Sequence, residues 1–317
     1  MKESDKRTIL VISGPTAVGK TELSLQLARE LEGEIINADS MQVYRGMDIG
    51  TAKLSREEMA EIPHHLFDIC DPSENYDVMR YQSEAKRCID EILSRGHMPI
   101  LVGGTGFYIQ AVLYDIHFTS EVPDETLRAS YERFASEHGA EALHERLRAV
   151  DPDSARAIHA NNVKRVIRAL EYCEQTGRPF SEHNREQRER TSPYSFLYAV
   201  LTLPRNVLYD RIDRRVDEML ANGLADEVRT LLAQDPPPNK TAMQALGYKE
   251  IAAYLNGEYD LEEAVRILKR DTRHFAKRQL TWFRREREVT YFDKSDYASS
   301  DILANEIVQG IKQLQQL

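Results

Sequence analysis

Residues 14–21 read Gly14-Pro15-Thr16-Ala17-Val18-Gly19-Lys20-Thr21 and follow directly on the run Thr8-Ile9-Leu10-Val11-Ile12. A glycine-rich loop between a strand and a helix turns successive backbone N–H groups onto the oxygens of a phosphate. The start of the following helix adds the positive end of its dipole. Lys20 supplies a point charge, and the Thr21 hydroxyl suits Mg²⁺.

The loop alone does not name a reaction. Nucleotide hydrolases end an apolar strand in an aspartate that holds Mg²⁺. Here the run Pro99-Ile100-Leu101-Val102 enters Gly103-Gly104-Thr105-Gly106 with no carboxylate at its end, which weakens an ATPase reading. Such a strand end leaves room for a flat group or a close backbone, or is a tight turn into a helix. The acid stands on another strand, in Asn37-Ala38-Asp39-Ser40-Met41-Gln42. Open parallel sheets bind ligands beyond the carboxyl ends of their strands, so Asp39 is expected to face the same crevice as the loop. It is open at this point whether Asp39 holds Mg²⁺ through water, acts as a general base, or simply closes a turn.

The elements that must position these residues alternate. Strands are expected at 8–13, 34–37, 99–102, 196–203 and 289–292, with a helix at 21–31 that carries Leu23, Leu27 and Leu31 on one side. The fold class is therefore α/β, a parallel sheet flanked by helices around a phosphate loop. Residues 1–120 are read as the first part of that core. Residues 121–195 are highly charged and helical, with helices around Leu127–Phe134, 142–150 and 163–170, the last stopped by Gly177 and Pro179. This stretch is read as an all-helical insertion. Residues 196–317 return to the core with one long amphipathic helix through Leu208, Ile212, Val216, Leu220, Leu224 and Val228, ended by Pro236-Pro237-Pro238.

The chain has 317 residues, 30% of them charged, with a net charge of −10, so any nucleic-acid contact must be local rather than spread over the surface. Cys70, Cys88 and Cys173 are far apart and fit neither a zinc site nor a disulfide framework. The apolar stretch before Gly14 is too short for a signal peptide or a membrane span, and a cytoplasmic protein without membrane contact is expected.

GPTAVGKT, DSMQVYRGMDIGTAK from Asp39, HHL from His64 and GGTGFY from Gly103 together resemble the tRNA dimethylallyltransferase (tRNA isopentenyltransferase) family. Further motifs follow in order: KRVIRALE from Lys164, RIDRRVDEML from Arg211, GYKE from Gly247 and TRHFAKRQLTWFR from Thr272. The resemblance covers nearly the whole chain. Position 164 is Lys where that family more usually has Gln or Arg.

The resemblance implies that Gly14, Pro15, Thr16, Ala17, Val18, Gly19, Lys20 and Thr21 hold the diphosphate of dimethylallyl diphosphate, with Mg²⁺ at Thr21. The acceptor would be N6 of the adenosine just 3′ of the anticodon in tRNAs reading codons that begin with U. Asp39, Thr105, Arg211 and Arg215 are then the catalytic candidates, Asp39 as base and the arginine pair as a clamp on the leaving group. Asp39, Ser40, Met41, Gln42 and Thr105 would line the base end of a channel between insertion and core. An adenosine in a stacked loop must be extruded to enter it.

The charge map fits an RNA partner. Between positions 264 and 294 there are ten Lys or Arg against four Asp or Glu, interleaved with His274, Phe275, Trp282 and Phe283. Arg273, Lys277, Arg278, Trp282 and Arg284 are tRNA-contact candidates in this segment. On the insertion the candidates are Arg128, Lys164, Arg165, Val166, Ile167 and Arg168. The expected partner is the anticodon stem-loop of tRNA, which a monomer suffices to bind. Free AMP, ADP or ATP as acceptor, a phosphate-loop small-molecule kinase, and a non-catalytic RNA-binding module are the rival readings.

Overall fold

In a computed structural model, residues 7–118 and 125–316 are described. Six strands form one sheet: β1 (Arg7–Ser13), β2 (Gly33–Asn37), β3 (His64–His65), β4 (Met98–Gly103), β5 (Tyr194–Thr202) and β6 (Val289–Asp293). Their order is β3-β2-β4-β1-β5-β6 and every pairing is parallel. β1 is central and read Ile9 to Ile12 as an unbroken apolar run because both of its faces are covered by helices. The two-residue β3 has no run of its own to announce it; it forms because His64 and His65 pair with Ile35 and Ile36.

By contacts the chain divides into one unit of Met1–Leu113 with Pro193–Leu317 and a second of Tyr114–Ser192. The sheet lies wholly in the first. Leu10, Ile12, Leu23, Leu27, Leu208 and Ile212 belong to its core, together with Leu303, Ile307 and Ile311 of the C-terminal helix Ser300–Gln315. The second unit is helical and has its own core, built around Leu143, Leu147, Val166, Ile167 and Leu170.

Two helical expectations need revision. The long helix through Leu208 and Val228 is broken into Arg205–Ala221 and Leu224–Leu232. Gly223, at φ 97°, ends the first and starts the second, a left-handed conformation that the amphipathic pattern does not register. In the second unit, Glu125–Val150 turns sharply at Gly139 (φ 87°, ψ 163°), so the two expected helices are halves of one interrupted element. Pro152–Ala157 and Phe180–Glu189 are additional helices there.

Candidate active site

The phosphate loop runs from the C-terminal end of β1 to the helix Lys20–Glu30. Gly14 (φ 140°), Ala17 (φ 63°) and Gly19 (φ 91°) all take positive φ. Ala17 in that region is costly for a residue with a Cβ, and such cost clusters at ligand clamps. Lys20 Nζ donates to Gly14 O at 3.0 Å and Pro15 O at 2.9 Å, so the ammonium lies folded against its own loop. Burial pushes its pKa down to about 8, with Asp39 opposing the shift and Arg215 adding to it. An anion at the loop would relieve that penalty.

Asp39 sits two residues beyond β2, and a polar bracket holds it. Asn37 Oδ1 accepts from Asp39 N at 2.9 Å, while Asn37 Nδ2 donates to Asp39 O and Leu66 O. Asp39 Oδ1 accepts from Met41 N at 2.9 Å, so one oxygen closes a turn. Its Oδ2 has no hydrogen-bond partner among the described residues and the side chain lines the cavity. Turn closure therefore uses one oxygen of the carboxylate and leaves the other without a hydrogen bond among the described residues. Thr105, just past β4, accepts from Ser40 N at 3.0 Å and ties the two strand ends together.

The cavity has a volume of about 580 Å³. Thr16, Lys20 and Thr21 line it from the loop, Asp39 and Gln42 from the turn after β2, and Arg211 and Arg215 from the helix Arg205–Ala221. Burial holds the Arg215 guanidinium below its usual range, against the pull of Asp39 and Glu218. Ile35, Leu54, Phe67 and Val102 form an apolar part of the wall. The arrangement gathers Lys20, Arg211 and Arg215 with the phosphate loop and sets a carboxylate and an apolar surface on the same wall.

A family model for the IPP transferases matches residues 42–286. The chain belongs to the IPP transferase family. It is 54% identical over 301 residues to a tRNA dimethylallyltransferase of Lachnoclostridium phytofermentans, spanning 95% of this chain and 96% of that one. The corresponding protein of Bacillus subtilis is 47% identical, with 96% and 97% covered. Among solved structures, the tRNA isopentenylpyrophosphate transferase of Bacillus halodurans aligns with a TM-score of 0.73 at 46% identity, over 98% of this chain and 99% of that one. A eukaryotic dimethylallyltransferase acting on tRNA gives a TM-score of 0.80 at 31% identity, over 96% and 80%. The parallel α/β core with its helical insertion is thus the fold of known tRNA prenyltransferases.

The remaining expected site residues fall in different settings. Ser40, Met41 and Thr105 adjoin the strand ends, but their side chains are not on the cavity wall. On the helix Leu261–Phe283, Lys277 and Arg278 are exposed, and Arg278 lies over the Phe275 ring at 5.7 Å. Arg273 is held by Asp213 at 2.6 Å and 2.7 Å. Trp282 packs against Gly106 with its indole N–H buried and unpartnered, and Arg284 is exposed at the helix end. In the second unit Lys164, Arg165 and Arg168 are exposed, whereas Val166 and Ile167 are buried in its core. Arg128 is bound bidentately by Glu171 at 2.8 Å, a fork-to-fork pair that sets helix against helix.

Three residues outside the expected site set bear on the site, and two of them, Gln279 and His64, lie within the quoted motifs. Gln279, 6% exposed, accepts from Thr16 N at 2.9 Å and donates to Gly104 O at 3.0 Å, joining the phosphate loop to the glycine turn after β4. A side chain at Gly104 would collide with it, which accounts for the glycine. The available signal was a polar residue on the buried face shared by Leu268, Thr272, Ala276 and Phe283. Glu227 accepts from Asp48 N, Ile49 N and Gly50 N, and from Tyr248 Oη, so two of the quoted motifs interlock structurally. His64 lines the cavity and places Nδ1 2.6 Å from Ile62 O, while its Nε2 is buried.

Proposed function

We propose that this chain transfers the dimethylallyl group from dimethylallyl diphosphate to N6 of the adenosine 3′ of the anticodon in tRNAs reading codons that begin with U. The observation that carries the reading is one cavity that joins a phosphate loop, two arginines, an apolar wall and an acid at the end of β2, in a chain of the IPP transferase family. Its relatives are tRNA dimethylallyltransferases, and a free nucleotide as acceptor is not favoured.

The donor is a latent allylic cation. As the C–O bond to diphosphate breaks, negative charge grows on the leaving group while positive charge spreads over the allyl unit. The loop N–H groups, Lys20, Arg211 and Arg215 are arranged to take up the former. Ile35, Leu54, Phe67 and Val102 suit the five-carbon tail and keep water from the cation. Adenine N6 is a weak nucleophile because its lone pair is delocalised into the ring. Asp39 Oδ2 would accept the N6 proton as the new C–N bond forms, worth typically about 10² to 10⁴ in rate. Diphosphate and the N6-alkylated adenosine are the products.

Mg²⁺ fits this donor set. Thr21 is on the cavity wall, and no cluster of three His, Cys, Asp or Glu able to hold an ion exists among the described residues. A small hard cation shared with substrate phosphates and water needs no such cage. Thr21 would hold it, and its charge would further neutralise the diphosphate. The exposed cations of the two units, Lys277, Arg278 and Arg284 in the first and Lys164, Arg165 and Arg168 in the second, are assigned to tRNA phosphates. A monomeric, cytoplasmic enzyme is part of the same reading; no helix among the described residues is long and apolar enough to cross a membrane.

The test is transfer of labelled dimethylallyl to an unmodified anticodon stem-loop with A next to the anticodon, compared with AMP at the same concentration. Labelled RNA with unlabelled AMP is expected. Labelled AMP alone, or phosphate transfer from ATP, would replace the reading.

A further inference from the structure

Lys294 opens the short turn Lys294–Asp296 at the end of β6, more than 270 residues from the phosphate loop in sequence but beside it in space. The turn is fixed by Asp293, whose Oδ1 accepts from Ser295 N at 2.9 Å and Ser295 Oγ at 2.6 Å. From there the Lys294 side chain reaches back over the loop. A Cβ built on Gly19 would lie 2.7 Å from Lys294 Nζ and 3.7 Å from Arg211 Nη1. Two cationic nitrogens thus converge within 4 Å of one point above the loop.

Neither cation has an ion-pair or hydrogen-bond partner among the described residues, whereas the ammonium of Lys53 is matched by Asp48 and Asp68. Like charges do not gather without cause. Burial and Arg211 both lower the Lys294 pKa, and the acid that opposes them, Glu22, stays outside ion-pair distance. Such a cluster is a binding site drawn without its anion. The absence of a side chain at Gly19 is what lets the ammonium come so near the loop backbone.

We propose that Lys294 is a further cation of the diphosphate site, closing on the anion with Arg211 at Gly19. The inference rests on the cradle reading above. It adds a residue from the far end of the chain, so that diphosphate binding draws the β6 turn, the helix Arg205–Ala221 and the loop together. Lys294 would then contact the leaving group directly, strengthening its hold as charge develops there.

Titration calorimetry of the full chain with inorganic diphosphate tests this, using the parent, Lys294→Met and Lys294→Arg. The Met variant keeps the length of the side chain and removes the charge. It is expected to bind diphosphate about tenfold or more weakly, with a parallel rise in KM for dimethylallyl diphosphate and an unchanged melting temperature. The Arg variant should recover most of the loss. Parent-like diphosphate affinity in Lys294→Met would overturn the proposal and leave the cradle intact, as would a loss of melting temperature without a loss of affinity. No diphosphate binding by the parent would overturn the cradle and this inference with it.

Discussion

Asp39 shows how much one carboxylate can carry. Because Oδ1 closes the turn at Met41 while the side chain also lines the cavity, removing the whole side chain would confuse folding with chemistry. Asp39→Asn separates them: the amide oxygen still accepts from Met41 N, but the group no longer takes a proton. Turnover is expected to fall by about 10² or more with tRNA affinity within about twofold, as read by single-turnover transfer and filter binding. Equal turnover in the two proteins would remove Asp39 as the base. Lys20 makes a second, independent statement. Its folded-state pKa of about 8 lies below the ordinary lysine value, so the native state resists carrying that proton. The penalty is fully present below about pH 8 and fades as pH rises toward the unfolded value, over which window stability increases. A bound diphosphate restores the proton. Near pH 8 its binding should therefore draw up to about half a proton onto Lys20, seen as a dependence of the calorimetric heat on buffer ionisation that is smaller in Lys20→Met than in the parent. A heat independent of buffer in the parent at that pH would rule this out.

At the scale of elements, the site is made by strand ends, and polar side chains from distant helices lock those ends in place. Gln279 brings the helix Leu261–Phe283 onto both the phosphate loop and the turn after β4. Gln279→Leu preserves bulk and breaks both bonds, leaving Thr16 N and Gly104 O unpaired. A loss of about 1–3 kcal/mol in unfolding free energy is expected, together with weaker donor binding. Chemical denaturation and diphosphate titration measure the two; weaker stability with unchanged diphosphate affinity would show that the bridge does not shape the loop. Glu227 does for the 48–50 segment what a helix N-terminus does for an anion, in reverse: three backbone N–H groups converge on one carboxylate. The quoted motif around Gly247 has its meaning here, since Tyr248 fills the space against Gly50 and donates to the same carboxylate.

At the scale of the molecule, the chain forms two units with separate cores. The cavity belongs wholly to the unit with the sheet, whereas Lys164, Arg165 and Arg168 stand on a unit stabilised by Leu143, Leu147, Val166 and Ile167. Leu147→Ala should cost that core about 2–5 kcal/mol and lower tRNA affinity, while inorganic diphosphate affinity stays within about twofold. Calorimetric titration with each ligand distinguishes this from damage to the whole protein. If the exposed cations meet RNA phosphates, replacing Arg165 and Arg168 by Ala should flatten the slope of log affinity against log salt by roughly 1.5. An unchanged slope would leave those arginines as ordinary solvated surface. The net charge of −10 makes the outcome informative, because the surface as a whole gives RNA no general attraction.

The sequence by itself determined the α/β class, five of the six strands, the phosphate loop and the family, because each is written in contiguous residues. An apolar run, a glycine spacing or a string of motifs is local information. It could not show β3, which exists only by pairing with β2, nor the break at Gly223, where a left-handed glycine interrupts a continuous apolar pattern. Nor could it sort the basic residues. Arg273 and Arg128 read like their neighbours until Asp213 and Glu171 are seen to hold them. Gln279 and Lys294 reach the phosphate loop across long sequence separations, on elements that no local pattern connects to it. Which charges are matched and which are left facing an anion depends on distances between segments far apart in the chain, and those only the tertiary structure decided.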